Sequence, residues 1–318
     1  MIYAQLIAGF IYLLGGGDLL VRGAVALARR LRVPSAFVAL VVVGLGTSLP
    51  ELVVSVRAAT TGFPGLALGN VVGSNIANVF LVAGVAAIVF PLRTGDRAAR
   101  RSCTMTVVVS VAFALLCFVG RDLTRLEGAA LLTVLVVGFV LTLRAALRAQ
   151  RRMTVTTPLD WVLGLPSQLP TILVFIGIGL VVLPLGADLL VEAAVELADR
   201  FGVPETVVGL TVVAVGTSLP EVATTIIASR QRRAGMVVGT VAGSNLFNIL
   251  GIMGAAAVVS PTSMAVSGRF VTLDLPVMIA ASVVLASFTW WRRPISGRAG
   301  AALVATYVVY VAVLYLAV

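Results

Sequence analysis

The chain has 318 residues, 60% of them hydrophobic and only 11% charged, with a mean hydropathy of +1.11. A soluble domain carries about 45–50% apolar residues and about 25% charge. Soluble enzymes, secreted disulfide scaffolds and disordered tails are therefore excluded, and an integral membrane protein with helical spans is expected. The net charge of +10 rests on 23 Arg and no Lys, held in short clusters between apolar runs. That pattern marks membrane topology, not a nucleic-acid surface.

Apolar windows of about 20 residues fall near 2–22, 34–60, 65–92, 103–120, 127–147, 169–195, 204–228, 235–260, 270–290 and 299–317. The fold class expected is all-α, a polytopic membrane protein of about ten transmembrane helices. Residues 2–22 end in glycines and Arg without a small-residue cleavage site, so they read as the first span and not as a signal peptide. Seventeen Arg lie in the loops after odd-numbered spans, including Arg29, Arg30, Arg32, Arg93, Arg97, Arg100 and Arg101. The loops after even-numbered spans hold only Arg121, Arg125, Arg200 and Arg269. The positive-inside rule then puts both termini on the non-cytoplasmic side of the cell membrane.

Cys103 and Cys117 share one apolar run, which argues against a structural disulfide, and two Cys cannot complete a four-ligand zinc site. The absence of His removes Ser-His-Asp and Cys-His catalysis, HExxH chemistry and His-ligated haem. No enzyme activity and no cofactor are expected, and no protein partner is evident.

Sliding the chain by 170 residues aligns GGDLLVRGAVALARRLRVP (16–34) with GADLLVEAAVELADRFGVP (186–204). It also aligns GTSLPE (46–51) with GTSLPE (216–221), and GSNIAN (73–78) with GSNLFN (243–248). Without a gap, 31 of 69 positions between 16–84 and 186–254 are identical, far above chance. Five spans per copy is an odd number, so the second copy enters the membrane from the opposite face. The expected organisation is a first inverted repeat at 1–147, a short cytoplasmic linker at 148–168 and a second inverted repeat at 169–318. Inverted repeats are a feature of secondary transporters whose site lies at the midplane between them.

Glu51 and Glu221 lie mid-span at equivalent places, and because an intramembrane ionisable residue costs several kcal/mol, each points to a functional site. Thr47 and Glu51 share a helical face at i and i+4 with Ser48 alongside; Thr217, Ser218 and Glu221 repeat this. Pro50 and Pro220 lack the N–H that would bond the carbonyls of Gly46 and Gly216, and carbonyls freed inside a membrane need a partner such as a dehydrated cation. The next helix of each copy carries Ser74 with Asn78, or Ser244 with Asn248, again at i and i+4. Asn75 and Asn245 point elsewhere and are expected to bond backbone or a neighbouring helix. Gly69, Gly73, Gly239 and Gly243 form small-xxx-small ridges that bring these helices onto the Glu-bearing ones. Carboxylates, hydroxyls and amide oxygens without nitrogen or sulfur ligands suit a hard cation such as Ca²⁺. Two carboxylates balance one divalent ion, and the penalty of two uncompensated buried charges favours obligatory exchange.

Paired GTSLPE and GSNxxN segments in inverted repeats resemble the α-repeats of the sodium/calcium exchangers, within the cation/calcium antiporter superfamily. The resemblance covers essentially the whole chain, as a compact prokaryotic member whose central loop, about 148–168, is too short for the regulatory calcium-binding domains of animal exchangers. It implies that Ca²⁺ and Na⁺ are substrates in a lipid bilayer, with Glu51 and Glu221 as shared central ligands. Thr47, Ser48, Ser74, Thr217, Ser218 and Ser244 would supply side-chain oxygens, and the main-chain carbonyls of Gly44 and Ala214 would complete the sites. Asn78 would line the centre. Some archaeal members carry Asp where this chain has Asn248, which leaves the ion stoichiometry open. A Ca²⁺/H⁺, K⁺-dependent or other cation antiporter is the alternative on the same scaffold; a passive channel fits less well. The resemblance also implies that the first and sixth spans slide against the core. Gly15, Gly16, Gly17, Gly177, Gly179 and Gly186 serve either that sliding or static packing.

Asp18 and Asp188, also repeat equivalents, are expected near the ends of spans one and six in an interfacial or capping role. Arg57 is expected to snorkel to the outer interface, Glu192, Glu196 and Asp199 to mark a solvated helix end, and Asp274 to start the ninth span. Trp290 and Trp291 followed by Arg292 and Arg293 read as an interfacial anchor.

Overall fold

The computed structural model describes residues 2–31, 46–94, 97–150, 164–230 and 234–316. Its helices, in chain order, are α1 Ile2–Arg30, α2 Leu49–Thr60, α3 Pro64–Val89, α4 Arg97–Gly120, α5 Arg125–Gln150 and α6 Leu169–Phe201. They continue with α7 Glu205–Thr217, α8 Leu219–Arg230, α9 Ala234–Val259, α10 Phe270–Trp290 and α11 Gly297–Leu316. Among the described residues, eight helices are long and apolar enough to span a membrane, and α7 with α8 makes a ninth, bent by 44°. The span expected at 34–60 is described only from Leu49, and Gly44 lies outside the described residues. The protein is an all-helical, multi-pass membrane protein.

Three boundaries differ from expectation. α1 runs to Arg30 and α6 to Phe201 because the glycines and Pro184 lie inside continuous helices. α6 stops at Gly202, whose φ of 62° lets it close the helix in the left-handed conformation. α4 starts at Arg97, so the fourth span is not the shortest.

Burial sorts the helices into an inner and an outer set. α3 and α9 are mostly buried, while α4, α5 and α11 expose rows of Val and Leu, as helices facing lipid do. The two halves of the chain interleave. Gly84 of α3 meets Gly300 of α11, and its repeat equivalent Gly254 of α9 meets Gly128 of α5; a Cβ at any of these would lie 2.5–3.0 Å from the facing carbonyl. At the ends, β1 Asp122–Leu123 pairs antiparallel with β2 Met264–Ala265, and Leu92 bridges Ile295. Cys103 and Cys117 are both free and buried on α4.

α1 and α6 lie antiparallel along most of their lengths. Gly9, Gly16 and Gly23 of α1 face Gly186, Leu183 and Ile176 of α6, and Gly179 faces the carbonyl of Gly16. The seven-residue spacing keeps these small residues on one stripe, so the two backbones touch. Gly16, Gly179 and Gly186 are thus in the seam as expected. Among the described residues Gly15 and Gly177 meet nothing within 4 Å, Gly17 faces Pro50 at 3.9 Å, and Gly9 and Gly23 take their place.

Candidate functional site

In each GTSLPE segment a helix begins just after the serine, at Leu49 in the first copy and at Leu219 in the second. Ser48 precedes α2 without capping it, and Ser218 sits at the bend between α7 and α8. A proline two residues on removes a backbone donor, and in the second copy α8 leaves α7 at 44°. Each serine bonds the other copy's glutamate and not its own: Ser48 Oγ donates to Glu221 Oε1 at 3.0 Å, and Ser218 Oγ donates to Glu51 Oε1 at 3.3 Å. Thr47 and Ser244 lie beside Glu221, and Thr217 lies beside Glu51. Both carboxylates are fully buried.

The GSNxxN segments of α3 and α9 meet the glutamates at the centre, where each helix changes from α to π bonding. The π turns span Asn78–Val82 and Asn248–Met253, and the Asn78 carbonyl accepts the Ala83 N–H five residues on. Such turns redirect side chains and are frequent at functional sites. Asn75 Nδ2 donates to the Asn245 carbonyl at 3.3 Å, and Asn245 Nδ2 donates to the Asn75 carbonyl at 3.1 Å. Their side-chain oxygens accept from the second pair, Asn248 Nδ2 to Asn75 Oδ1 and Asn78 Nδ2 to Asn245 Oδ1, both at 3.0 Å. The expected backbone and interhelical bonds of Asn75 and Asn245 are therefore present.

This leaves a defined remainder. Glu51 Oε2, Glu221 Oε2, Ser74 Oγ, Ser244 Oγ, Asn78 Oδ1 and Asn248 Oδ1 are buried without a hydrogen-bond partner among the described residues. They form three repeat-related pairs of oxygens. Buried oxygens in a membrane protein are ordinarily satisfied, and a ligand that supplies positive charge is one partner that would satisfy all six.

Other expected ligands are placed as follows. The Ala214 carbonyl accepts the Ser218 N–H at 3.1 Å and lies 3.4 Å from Thr217 Oγ1. Thr217 Oγ1 also reaches the Val213 carbonyl at 3.0 Å and Asn70 Oδ1 at 3.2 Å. Asn70, not anticipated from the sequence, donates to the Glu51 carbonyl at 3.3 Å and to Ser55 Oγ at 2.9 Å. Its signal was available, because 70, 74 and 78 form one i, i+4 row on α3. The equivalent of Asn70 is Thr240, and in that copy Thr225 Oγ1 donates to the Glu221 carbonyl at 2.6 Å. The glycine ridge of α3 behaves as expected: a Cβ at Gly73 would lie 2.6 Å from the Leu210 carbonyl. At Gly239 and Gly243 nothing lies within 4 Å among the described residues.

Two cavities flank the centre. One, of about 520 Å³, lies between α1, α2 and α8 and reaches Thr47 and Pro50; Asp18, Arg22 and Ile227 line it. The other, of about 420 Å³, lies between α2 and α6 and is lined by Arg57, Asp188 and Glu192, with Glu196 and Asp199 at its exposed rim. Asp188, Glu192 and Arg57 are the repeat equivalents of Asp18, Arg22 and Ile227. The antiparallel seam sets Asp18 and Asp188 about nine residues apart along α1, roughly 14 Å at 1.5 Å per residue.

The charges in these equivalent cavities differ. Asp18 pairs with Arg22 on its own helix at 2.8 Å, whereas Asp188 of α6 pairs with Arg57 of α2 across the gap. Neither aspartate caps a helix end, because both helices extend a further three turns, and Arg57 is held by Asp188 instead of snorkelling. Asp274 does not start a helix either. It is buried within α10 at the end of a π turn, where Tyr310 Oη donates to it at 2.9 Å. Trp290 and Trp291 are exposed as an interfacial anchor would be, with Trp290 Nε1 on Thr104 Oγ1 at 2.9 Å.

Comparison with known proteins agrees with this geometry. The family model described as "Sodium/calcium exchanger protein" matches residues 1–144 and 171–316. The chain is 34% identical to the inner membrane protein YrbG of Escherichia coli K12, covering 98% of this chain and 96% of that protein. It is 32% identical to the sodium/calcium exchanger MaX1 of Methanosarcina acetivorans, over 98% and 97% of the two chains. A crystal structure of the sodium-calcium exchanger NCX_Mj soaked with 10 mM Na⁺ and 10 mM Sr²⁺ superposes with a TM-score of 0.65 at 27% identity, covering 98% of this chain and 97% of that one. Doubled GTSLPE and GSNxxN segments, crossed at the centre of a helical membrane bundle and matched from end to end by these relatives, place the chain in the sodium/calcium exchanger family, as a cation antiporter and not an enzyme.

Proposed function

We propose that the protein exchanges Ca²⁺ for Na⁺ by alternating access, at a midplane site built from Glu51, Glu221, Ser74, Ser244, Asn78 and Asn248. Thr47, Ser48, Thr217, Ser218 and the Gly44 and Ala214 carbonyls would complete it. The observation that carries the reading is the set of six buried oxygens in three repeat-related pairs, unpartnered among the described residues. An all-oxygen set with two carboxylates matches the coordination preference and charge of Ca²⁺. Ser48 and Ser218 each hold one carboxylate oxygen, which leaves the other oxygen of each glutamate directed to the ion.

Repeats 1–147 and 169–318, inverted about the linker 148–168, would give the site one access path on each face. The glycine seam makes α1 and α6 a unit whose sliding opens one path as it closes the other. With both termini outside the cell membrane, the cavity at Thr47 is the cytoplasmic path and the Arg57–Asp188 pair closes the outer one. An exposed ion pair contributes about 0.2–1 kcal/mol, a shift of up to about fivefold in the outward-open population. Arg57→Ile should therefore speed thiol labelling of a cysteine introduced at Val191, which is buried in this cavity wall, by up to about fivefold. Adding Ile227→Arg, which places the cation opposite Asp18, should reverse that gain. Unchanged labelling in both variants would remove the pair from gating.

Exchange is tested by loading proteoliposomes with Na⁺, diluting them into Na⁺-free medium and following ⁴⁵Ca²⁺ uptake, with a proton-gradient arm beside it. Uptake that requires the outward Na⁺ gradient is the expected result. Uptake driven by the proton gradient alone would assign Ca²⁺/H⁺ exchange, and uptake indifferent to both would overturn antiport of Ca²⁺.

A further inference from the structure

The crossed asparagines carry an inference that rests on the cation-site reading and goes beyond it. Asn78 and Asn248 can serve a cation only through Oδ1. Their side-chain NH₂ groups, nearly identical in shape, would repel it. Something must therefore fix the orientation of each amide.

A main-chain carbonyl accepts hydrogen bonds and never donates them. The Asn245 side chain contacts the Asn75 carbonyl, so the contacting atom is its NH₂; the reciprocal contact fixes Asn75 in the same way. Asn75 Nδ2 also faces Met278 Sδ at 3.7 Å, a second acceptor. Both Oδ1 atoms are thereby turned toward the neighbouring amides, and only an NH₂ can answer them. Asn78 must give its NH₂ to Asn245, and Asn248 its NH₂ to Asn75. The one atom left on each is Oδ1, and neither has a partner among the described residues. Reversing either outer amide sets oxygen against oxygen unless its anchoring amide reverses too, and that reversal breaks the bond to a helix carbonyl.

We propose that Asn75 and Asn245 are positioning residues: anchored on each other's backbone, they hold Asn248 and Asn78 so that each presents a carbonyl oxygen to the transported cation. The polarity of the site is set across the repeat interface, with each helix orienting the ligand of the other. This accounts for the first Asn of both GSNxxN segments, which touches no ion ligand except through its partner's amide.

The test is a double-mutant cycle on purified protein, reading Ca²⁺ affinity by calorimetric titration and folding by thermal melting without Ca²⁺. Asn245→Leu is similar in size but cannot hold Asn78, and should weaken Ca²⁺ binding about tenfold or more. Asn78→Asp offers oxygen at both positions. Beside native Asn245 it opposes Oδ1 and should weaken binding; in the Asn245→Leu background it should restore it. That reversal of sign is the expected result, and the mirror pair Asn75→Leu with Asn248→Asp should repeat it and serves if Asn245→Leu does not fold. An equal effect of the aspartate in both backgrounds would reduce Asn75 and Asn245 to packing residues and overturn the proposal. Glu51→Gln, run in parallel, separates the two failures: if it leaves Ca²⁺ affinity unchanged, the cation-site reading itself fails.

Discussion

Glu51→Gln and Glu221→Gln should each abolish Ca²⁺ transport while leaving the protein folded, and folded more stably than its parent in the absence of Ca²⁺. The amide keeps the shape of the carboxylate and still accepts from Ser218 or Ser48, so the local packing survives. What disappears is charge. Two unit charges about 4 Å apart at an effective dielectric of about 20 interact by about 4 kcal/mol, and a divalent ion doubles the attraction to each carboxylate. Part of that is offset by dehydrating the ion, but a loss of at least about 100-fold in affinity remains. The same substitution removes the repulsion between two fully buried carboxylates, which raises cation-free stability.

Thermal melting distinguishes these two terms. The parent should gain about 2.7 kcal/mol at a Ca²⁺ concentration of about 100 times its Kd, because Ca²⁺ binds only the folded state. The variants should start higher and gain almost nothing at the same concentration. Parent-like stabilisation of both variants by Ca²⁺ would place the binding site elsewhere in the bundle.

The second large effect is steric. Gly69 of α3 lies against Gly209 of α7, and a Cβ at Gly69 would come 2.9 Å from the Leu210 amide nitrogen and 3.1 Å from the Gly209 Cα. These obstacles are backbone atoms in a helix, which cannot swing aside as a side-chain tip can. Gly69→Ala should therefore separate α3 from the π turn Gly209–Val213 that leads into Ala214 and Thr217. Overpacking of this kind costs about 1–3 kcal/mol, occasionally more. We expect a lower melting temperature and loss of Ca²⁺ stabilisation together, because the displaced helix carries Ser74 and Asn78. Gly138→Ala, at an exposed position on the lipid-facing α5, is the control expected to melt like the parent. An unchanged melting temperature in Gly69→Ala would show that the interface yields and that the glycine ridge is not needed for docking.

What the sequence by itself determined is whatever depends on residues near one another along the chain. Apolar length determined the spans, since hydrocarbon thickness is a one-dimensional constraint. Self-alignment determined the doubled GTSLPE and GSNxxN segments, and i, i+4 spacing put Ser74 on one face with Asn78 and Ser244 on one face with Asn248. Local breaks were legible as well, because Pro50 and Pro220 act on the turn beside them.

Only the tertiary structure decided the pairings between the copies. Ser48 was read with its neighbour Glu51, yet its hydroxyl bonds Glu221. Asn75 and Asn245 carried no sign of which amide each would face, and Arg57 gave no hint of Asp188 on a helix 131 positions away. Asp274 has the composition of a helix start, but the π turn before it and Tyr310 on α11 make it a buried acceptor. The reason is physical: a helix face is set by a period of 3.6 residues, whereas the partner on that face is set by how two interleaved halves cross. The ligand types of the site belong to the sequence, and their aim belongs to the crossing.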